Sequence, residues 1–298
     1  MPLPPLYKYL DFKGALLTLE NRTFKHAKPS DFNDTEDLTF QSMFPEEMEV
    51  ALTKIEHGFT DIILQHINDP PTCSSPMKEQ LALIQHVFRT NPKAADMVKA
   101  EMASEGAEPV FDVNYMRVRA GVVVKEINEQ MQATRVLCVT THKDSEKMWV
   151  DYAENHKGIA LRIEPNVAKQ SKFNVFQPVI YREKRPTLYD DPLEFIAGGL
   201  FGDLEARTRA MLDKIVYTKT LKWEHEGEYR LAIHLRQDEE PWNTDPYHPE
   251  EIVELYLGLA MEKADADCIV SMALAVNPNI AIFRMKRMPD GSLGFDSV

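Results

Sequence analysis

The chain has 298 residues, 44% of them hydrophobic, and carries a formal net charge of −13 with a pI near 5.2. That is enough apolar material for a sizeable core in one or two domains, and a field of that sign opposes binding to nucleic acid or anionic membranes unless a local basic patch intervenes. Three scattered cysteines, Cys73, Cys138 and Cys268, with no CxxC pair, argue against a disulfide framework or a cysteine-rich zinc site and fit a reducing compartment.

Leu6 to Leu10 alternates as a short strand, Gly14 to Leu19 reads as a brief helix, Arg22 to Ala27 returns to strand, and Lys28-Pro29-Ser30-Asp31 is a turn. Phe32-Asn33-Asp34 follows as a second turn, in which the Asn and Asp side chains bond back to nearby amides. Pro45-Glu46-Glu47 then opens a helical block, with Pro in the first turn and acids at the positive end of the helix dipole. Met48, Leu52, Ile55, Phe59, Ile62, Ile63 and Ile67 recur at helical spacing until Asn68-Asp69-Pro70-Pro71. A second helical region runs from Met77 to Phe88, is interrupted at Asn91-Pro92, and resumes to Ala103. A third starts at Pro109 and carries Val110, Val118, Val122, Ile127 and Met131. These stripes read as core.

The second half is richer in strands. Arg135 to Thr140 is β-prone, Ser145 to His156 reads as a helix capped by Ser145 and stopped at Gly158, and Ile159 to Ile163 alternates. Val175 to Tyr181, Tyr229 to Leu235, Ile252 to Leu257 and Ile280 to Arg284 complete a candidate sheet, with a helix over Met261 to Ala275. Gly198-Gly199-Leu200-Phe201-Gly202 lacks the Lys of a phosphate loop and reads as an ordinary loop. The expected fold is α+β: one domain over 1–298, a mixed β-sheet core drawn from 1–44 and 133–298, and a helical insertion over 45–132. No leader and no apolar run of ~18 residues is evident, so a cytoplasmic, bacterial-type protein without a membrane partner is expected. The basic runs Arg182-Glu183-Lys184-Arg185 and Arg284-Met285-Lys286-Arg287 read as solvated faces.

The densest polar segment is Trp223-Glu224-His225-Glu226-Gly227-Glu228-Tyr229-Arg230. In an extended strand Glu226 and Glu228 point the same way, and two carboxylates on one face require a cation or a proton between them. One reading is an ion-pair network with Arg230, Arg162 or Lys219. The other is a site.

Together with Leu6-Tyr7-Lys8-Tyr9, Phe32-Asn33-Asp34, Met148-Trp149-Val150-Asp151-Tyr152-Ala153 closing on Gly158, and Lys219, this segment resembles a prokaryotic family catalogued as domain of unknown function twenty-nine seventy-one. Thr35 and Glu36 stand where that family continues with Pro and an aromatic residue. The resemblance implies layout and positions but no activity.

The Glu-x-Glu is also similar to the acidic motif of ADP-ribosyltransferases. That likeness implies Glu228 as the carboxylate stabilising a ribosyl cation, with Glu226 assisting and NAD as substrate. Tyr7, Lys8 and Tyr9 would supply the early polar strand, and Trp149, Tyr152 or Trp223 the aromatic wall. Asn33 and Asp34 would rim the pocket, with Lys219 and Arg230 beside the acids. For Trp149 the competing expectation is core packing.

Two alternatives stay open. One is a metal-dependent phosphodiesterase using Mg²⁺ at Asp34, Asp37, Glu226, Glu228 and Lys219. The other is a non-enzymatic sensor or partner-binding protein of a phage-defence or toxin-like system. No zinc site is assigned, because His142, His156 and His225 lack HxxxH or HxH spacing.

Overall fold

The computed structural model describes residues 3–102, 104, 112–234 and 243–298. The expected helix start at Pro109 and the strand end at Leu235 lie outside them. In chain order the elements are β1 (Leu6–Leu10), α1 (Phe12–Asn21), β2 (Thr23–His26), α2 (Met48–Gln65), α3 (Ser75–Thr90), α4 (Pro92–Met102) and α5 (Val113–Ala133). Next come β3 (Thr134–Thr140), α6 (Glu146–Tyr152), β4 (Ile159–Ile163), β5 (Gln177–Pro178), β6 (Ile180–Arg182), α7 (Pro192–Phe201) and α8 (Leu204–Val216). The chain closes with β7 (Thr218–Thr220), β8 (Glu228–His234), β9 (Asn243–Pro246), β10 (Ile252–Leu257), α9 (Lys263–Val276), β11 (Ala281–Arg287) and β12 (Leu293–Ser297). The fold is α+β. Among the described residues no helix is long and apolar enough to cross a membrane.

Two compact units emerge. The first comprises residues 1–37, 132–183 and 217–298; the second comprises 38–131 and 184–216. In the first, an eight-stranded mixed sheet has the order β12-β11-β10-β4-β1-β3-β8-β5, with β10 and β11 parallel and the other pairs antiparallel. Apolar side chains alternate along its strands, as the half-buried pattern demands. Leu6, Leu137, Val139, Leu161 and Leu255 join one core with Ala15, Leu19 and Ile269 of α1 and α9. Tyr7, Tyr9, Ala160 and Tyr256 join a second cluster with Met148 and Trp149 of α6.

The ladder is uneven. β1 pairs with β4 over five residues but registers with β3 only at Tyr7↔Thr140. In an antiparallel strand every second residue turns its backbone groups to the same edge. On β3 that edge carries Val136, bonded to Ala27 in both directions, and Thr140, paired with Tyr7. Cys138 lies between them, and its carbonyl accepts the Lys8 ammonium at 3.0 Å.

The second unit is helical. α2 and α7 pack closely where Gly58 meets Leu193, since a Cβ there would lie 2.6 Å from Leu193 Cδ2. α7 corrects the expected loop at 198–202: Pro192 occupies its first turn and the Asp191 side chain caps the Leu193 amide, so Gly198 to Phe201 are helical. Three other expectations change. α6 ends at Tyr152 rather than His156, because Glu154, Asn155 and His156 all take left-handed φ values between 51° and 66°. The strand expected over 175–181 divides at Val179, with β5 on the edge of the large sheet and β6 pairing β7. Glu226 closes a 3₁₀ turn over Leu221–Glu226, and only Glu228 is on β8.

Candidate functional site

The site lies within the first unit and follows from its backbone. Gly227 joins the 3₁₀ turn to β8 at φ 50°, where L side chains are rare. A Cβ there would also meet His142 Nε2 at 2.6 Å and Thr141 Oγ1 at 2.7 Å. This joint brings two carboxylates, one on a turn and one on a strand, to the same lysine. Thr140 holds the turn, donating to the Glu226 carbonyl at 2.5 Å. Tyr181, opposite Lys219 in the β6–β7 pair, accepts the Glu228 amide at 2.9 Å.

Lys219 Nζ donates to Glu226 Oε2 and, at 3.1 Å, to Glu228 Oε2, and lies 3.5 Å from Asp37 Oδ2. Arg230 grips two carboxylates. Its Nε and Nη2 reach Glu228 at 2.8 and 2.9 Å, and its Nη1 and Nη2 reach Asp37 at 3.0 and 2.5 Å. Such forked contacts are the geometry in which guanidinium binds carboxylate most strongly. The five residues are almost wholly buried. Glu226 Oε1 accepts the Tyr152 hydroxyl at 2.5 Å, and that hydroxyl accepts from Asn33 Nδ2 at 3.3 Å.

The electrostatics divide the two glutamates. Burial alone would raise the Glu228 pKa, but Arg230 and then Lys219 overturn that and bring it down to about 2. Glu226 keeps the sign of its burial: desolvation raises its pKa, Lys219 pulls it back only in part, and the charge on Glu228 adds to the rise. Burial lowers the Lys219 pKa less than Glu228, Asp37 and Glu226 raise it, so the lysine stays charged. Lys8 behaves oppositely. Burial pushes its pKa down, and its hydrogen-bond partner is the neutral Cys138 carbonyl.

A half-open cavity of about 360 Å³ overlies this cluster. Tyr7, Lys8, Tyr9, Cys138 and Thr140 line it from the split between β1 and β3. Phe32 and Asn33 line it from the loop, Met148, Asp151 and Tyr152 from α6, and Lys219, Glu226 and Glu228 from below. The volume falls in the usual range for small-molecule pockets.

Of the residues singled out from sequence, the structure gathers Tyr7, Lys8, Tyr9, Asn33, Tyr152, Lys219, Glu226 and Glu228 on this wall. Four others stand apart from it. Trp149 is fully buried, packs edge-on against Tyr9 at 5.0 Å, and gives its indole N–H to the Lys143 carbonyl, so it is core. Asp34 turns back on its own loop, accepting the Glu36 amide and Lys222. Trp223 stacks on His225 with Lys219 Nζ 4.9 Å from its ring centroid, behind the acids. Arg230 is sealed beneath them. The sequence reading placed Asp37 only among possible metal ligands, whereas here it shares Arg230 and Lys219 with the glutamates.

Residues 148–231 match the family described as Protein of unknown function (DUF2971). That stretch holds Tyr152, Lys219, Glu226, Glu228 and Arg230, while Tyr7, Lys8 and Asp37 precede it. No match is found among the curated proteins or among the solved structures.

Proposed function

We propose that this chain, whose residues 148–231 match a family of unknown function, is an enzyme cleaving the bond between nicotinamide and ribose in NAD and transferring the ADP-ribosyl group. The support is one observation: three buried carboxylates, Asp37, Glu226 and Glu228, face two cations, Lys219 and Arg230, beneath a cavity walled by tyrosines. The surplus negative charge is held where little water screens it. Departure of nicotinamide leaves positive charge on the sugar, and a fixed anion in a dry pocket stabilises such a charge far better than water does. Tyr7, Tyr9, Tyr152 and Phe32 offer apolar faces to the nicotinamide ring.

The geometry redistributes the roles read from the sequence. Both Glu228 oxygens are taken by Arg230, so Glu228 positions its neighbours. Glu226 is held at Oε1 by the neutral Tyr152 hydroxyl and at Oε2 by Lys219 but carries no guanidinium clamp, and with burial raising its pKa we assign it as the acid presented to substrate. A Mg²⁺-dependent reading is less well supported, because the Lys219 ammonium already fills the space among the three carboxylates.

The test is nicotinamide release from NAD by the wild type beside Glu226→Gln, with both shown folded by circular dichroism. Loss on the order of a hundredfold or more is expected, comparable to removal of a single transition-state contact. Absence of release from the wild type, or a Gln variant as active as the parent, overturns the proposal.

A further inference from the structure

Lys8 is a cavity residue that the reaction above leaves without a task. It lies in the opened part of the β1–β3 ladder and lines the cavity with Glu226 and Tyr152. Its Nζ donates to the Cys138 carbonyl at 3.0 Å. The three carboxylates of the cluster contact Lys219 and Arg230, whereas the partner of Lys8 is a neutral oxygen. An amine in that setting loses its proton more easily than a solvated lysine, and burial does lower its pKa. The charge on Glu228 opposes that loss in part, but once deprotonated the amine keeps one N–H for Cys138 and has a lone pair to use. Loss of that proton also spares the cavity a cation that would repel the positively charged nicotinamide ring.

We propose that Lys8 is the nucleophile of this site, forming a covalent ribosyl–lysine adduct, an inference that rests on the NAD reading. The bond between ribose C1 and the nicotinamide nitrogen breaks, its electron pair going to that nitrogen, and nicotinamide leaves neutral. The Lys8 lone pair forms the new C1–Nζ bond, and the proton released from Nζ passes to the Glu226 carboxylate. The adduct opens when the bond from C1 to the ring oxygen breaks. That oxygen takes the pair and recovers the proton from Glu226, while the Nζ lone pair forms the second C1–Nζ bond, leaving a protonated imine (iminium) between C1 and Nζ. Capture by water or by another acceptor regenerates the amine. Activation of a lysine by a dry pocket is an established route to such imines.

The wild-type protein is incubated with NAD, with and without sodium cyanoborohydride, while nicotinamide release, intact mass and the modified peptide are followed. With the reductant, the mass is expected to rise by one reduced ADP-ribosyl group placed on Lys8, and release is expected to stop after about one equivalent. Lys8→Arg, which keeps a cation but not the nucleophile, is expected to form no adduct and to lose turnover. Continued release with Lys8 unmodified would overturn the lysine role while sparing the NAD reading. No release under any condition would remove both. Because the peptide map is made on the wild type, the outcome does not depend on the variant folding.

Discussion

Two polar clusters belong to the same eight-stranded sheet, and their difference is instructive. At β4 and β10, Arg162 donates to Glu254 at 2.6 Å and to Glu164 at 3.1 Å, and Tyr256 donates to Glu254 at 2.5 Å. At β8, Arg230 and Lys219 serve Glu228, Glu226 and Asp37. Each cluster has one more carboxylate than cation among these residues, so charge imbalance does not separate them. Water does. The side chains of Arg162, Glu254 and Glu164 are 28%, 19% and 62% exposed, whereas those around Arg230 are 0–6% exposed. Solvent screens the first cluster into an ordinary support for strand order. In the second the excess charge persists and faces a cavity.

Removing the cation from each cluster gives the largest expected contrast. Arg230→Met leaves three buried carboxylates to share Lys219 alone, and unfolding by urea is expected to show a loss of about 3–5 kcal/mol. A loss under 1 kcal/mol would mean that water reaches the cluster and that the contrast with Arg162 is wrong.

Acid titration sharpens the same comparison at intermediate scale. The Glu228 pKa falls from 4.5 to about 2, so its contribution to stability is fully present above pH 4.5 and is lost as the pH falls toward about 2. Asp245, depressed from 3.8 to about 2 chiefly by its hydrogen bond with His26, adds to the slope in the same window. Glu226, with a raised pKa, acts in the opposite direction, favouring the folded state on protonation. Urea midpoints followed between about pH 5 and pH 2 are expected to fall in the wild type and to fall less steeply in Glu228→Gln. Parallel slopes would remove Glu228 from the acid response.

Arg162→Met is expected to cost the least, about 1 kcal/mol or less in the same assay, because its partners keep access to water. A loss equal to that of Arg230→Met would collapse the distinction.

Much of the scaffold was legible in the residues. Alternation gave Leu6–Leu10, Ile159–Ile163 and Ile252–Leu257 nearly to the residue, and Ser145 caps α6 with its side chain on the Met148 amide. Tyr7, Lys8, Tyr152, Lys219, Glu226 and Glu228 were named, and they do meet around one cavity. The expectation that Glu226 and Glu228 share a strand face failed on a single dihedral angle, since Gly227 in the left-handed region ends one element and starts another. Arg230 and Asp37 lie 193 positions apart, beyond the reach of any local pattern. Trp149 and Tyr152, three residues apart on one short helix, have different surroundings: one is sealed in the core and the other reaches the acids. Helical spacing gives the shared face of two residues but not the depth of each along it.

The single register pair between β1 and β3 gives the sheet a seam. On one side, β12, β11, β10, β4 and β1 form one leaf; on the other, β3, β8 and β5 form a second, and Tyr7↔Thr140 is the main-chain stitch between them. Glu228 rides on the second leaf and Lys8 on the first, its Nζ acting as a side-chain rivet across the gap at Cys138. Under the proposed chemistry, the nitrogen that would bond to substrate is the same nitrogen that joins the two leaves at Cys138, so capture of a substrate and the side-chain link across the seam would depend on one atom.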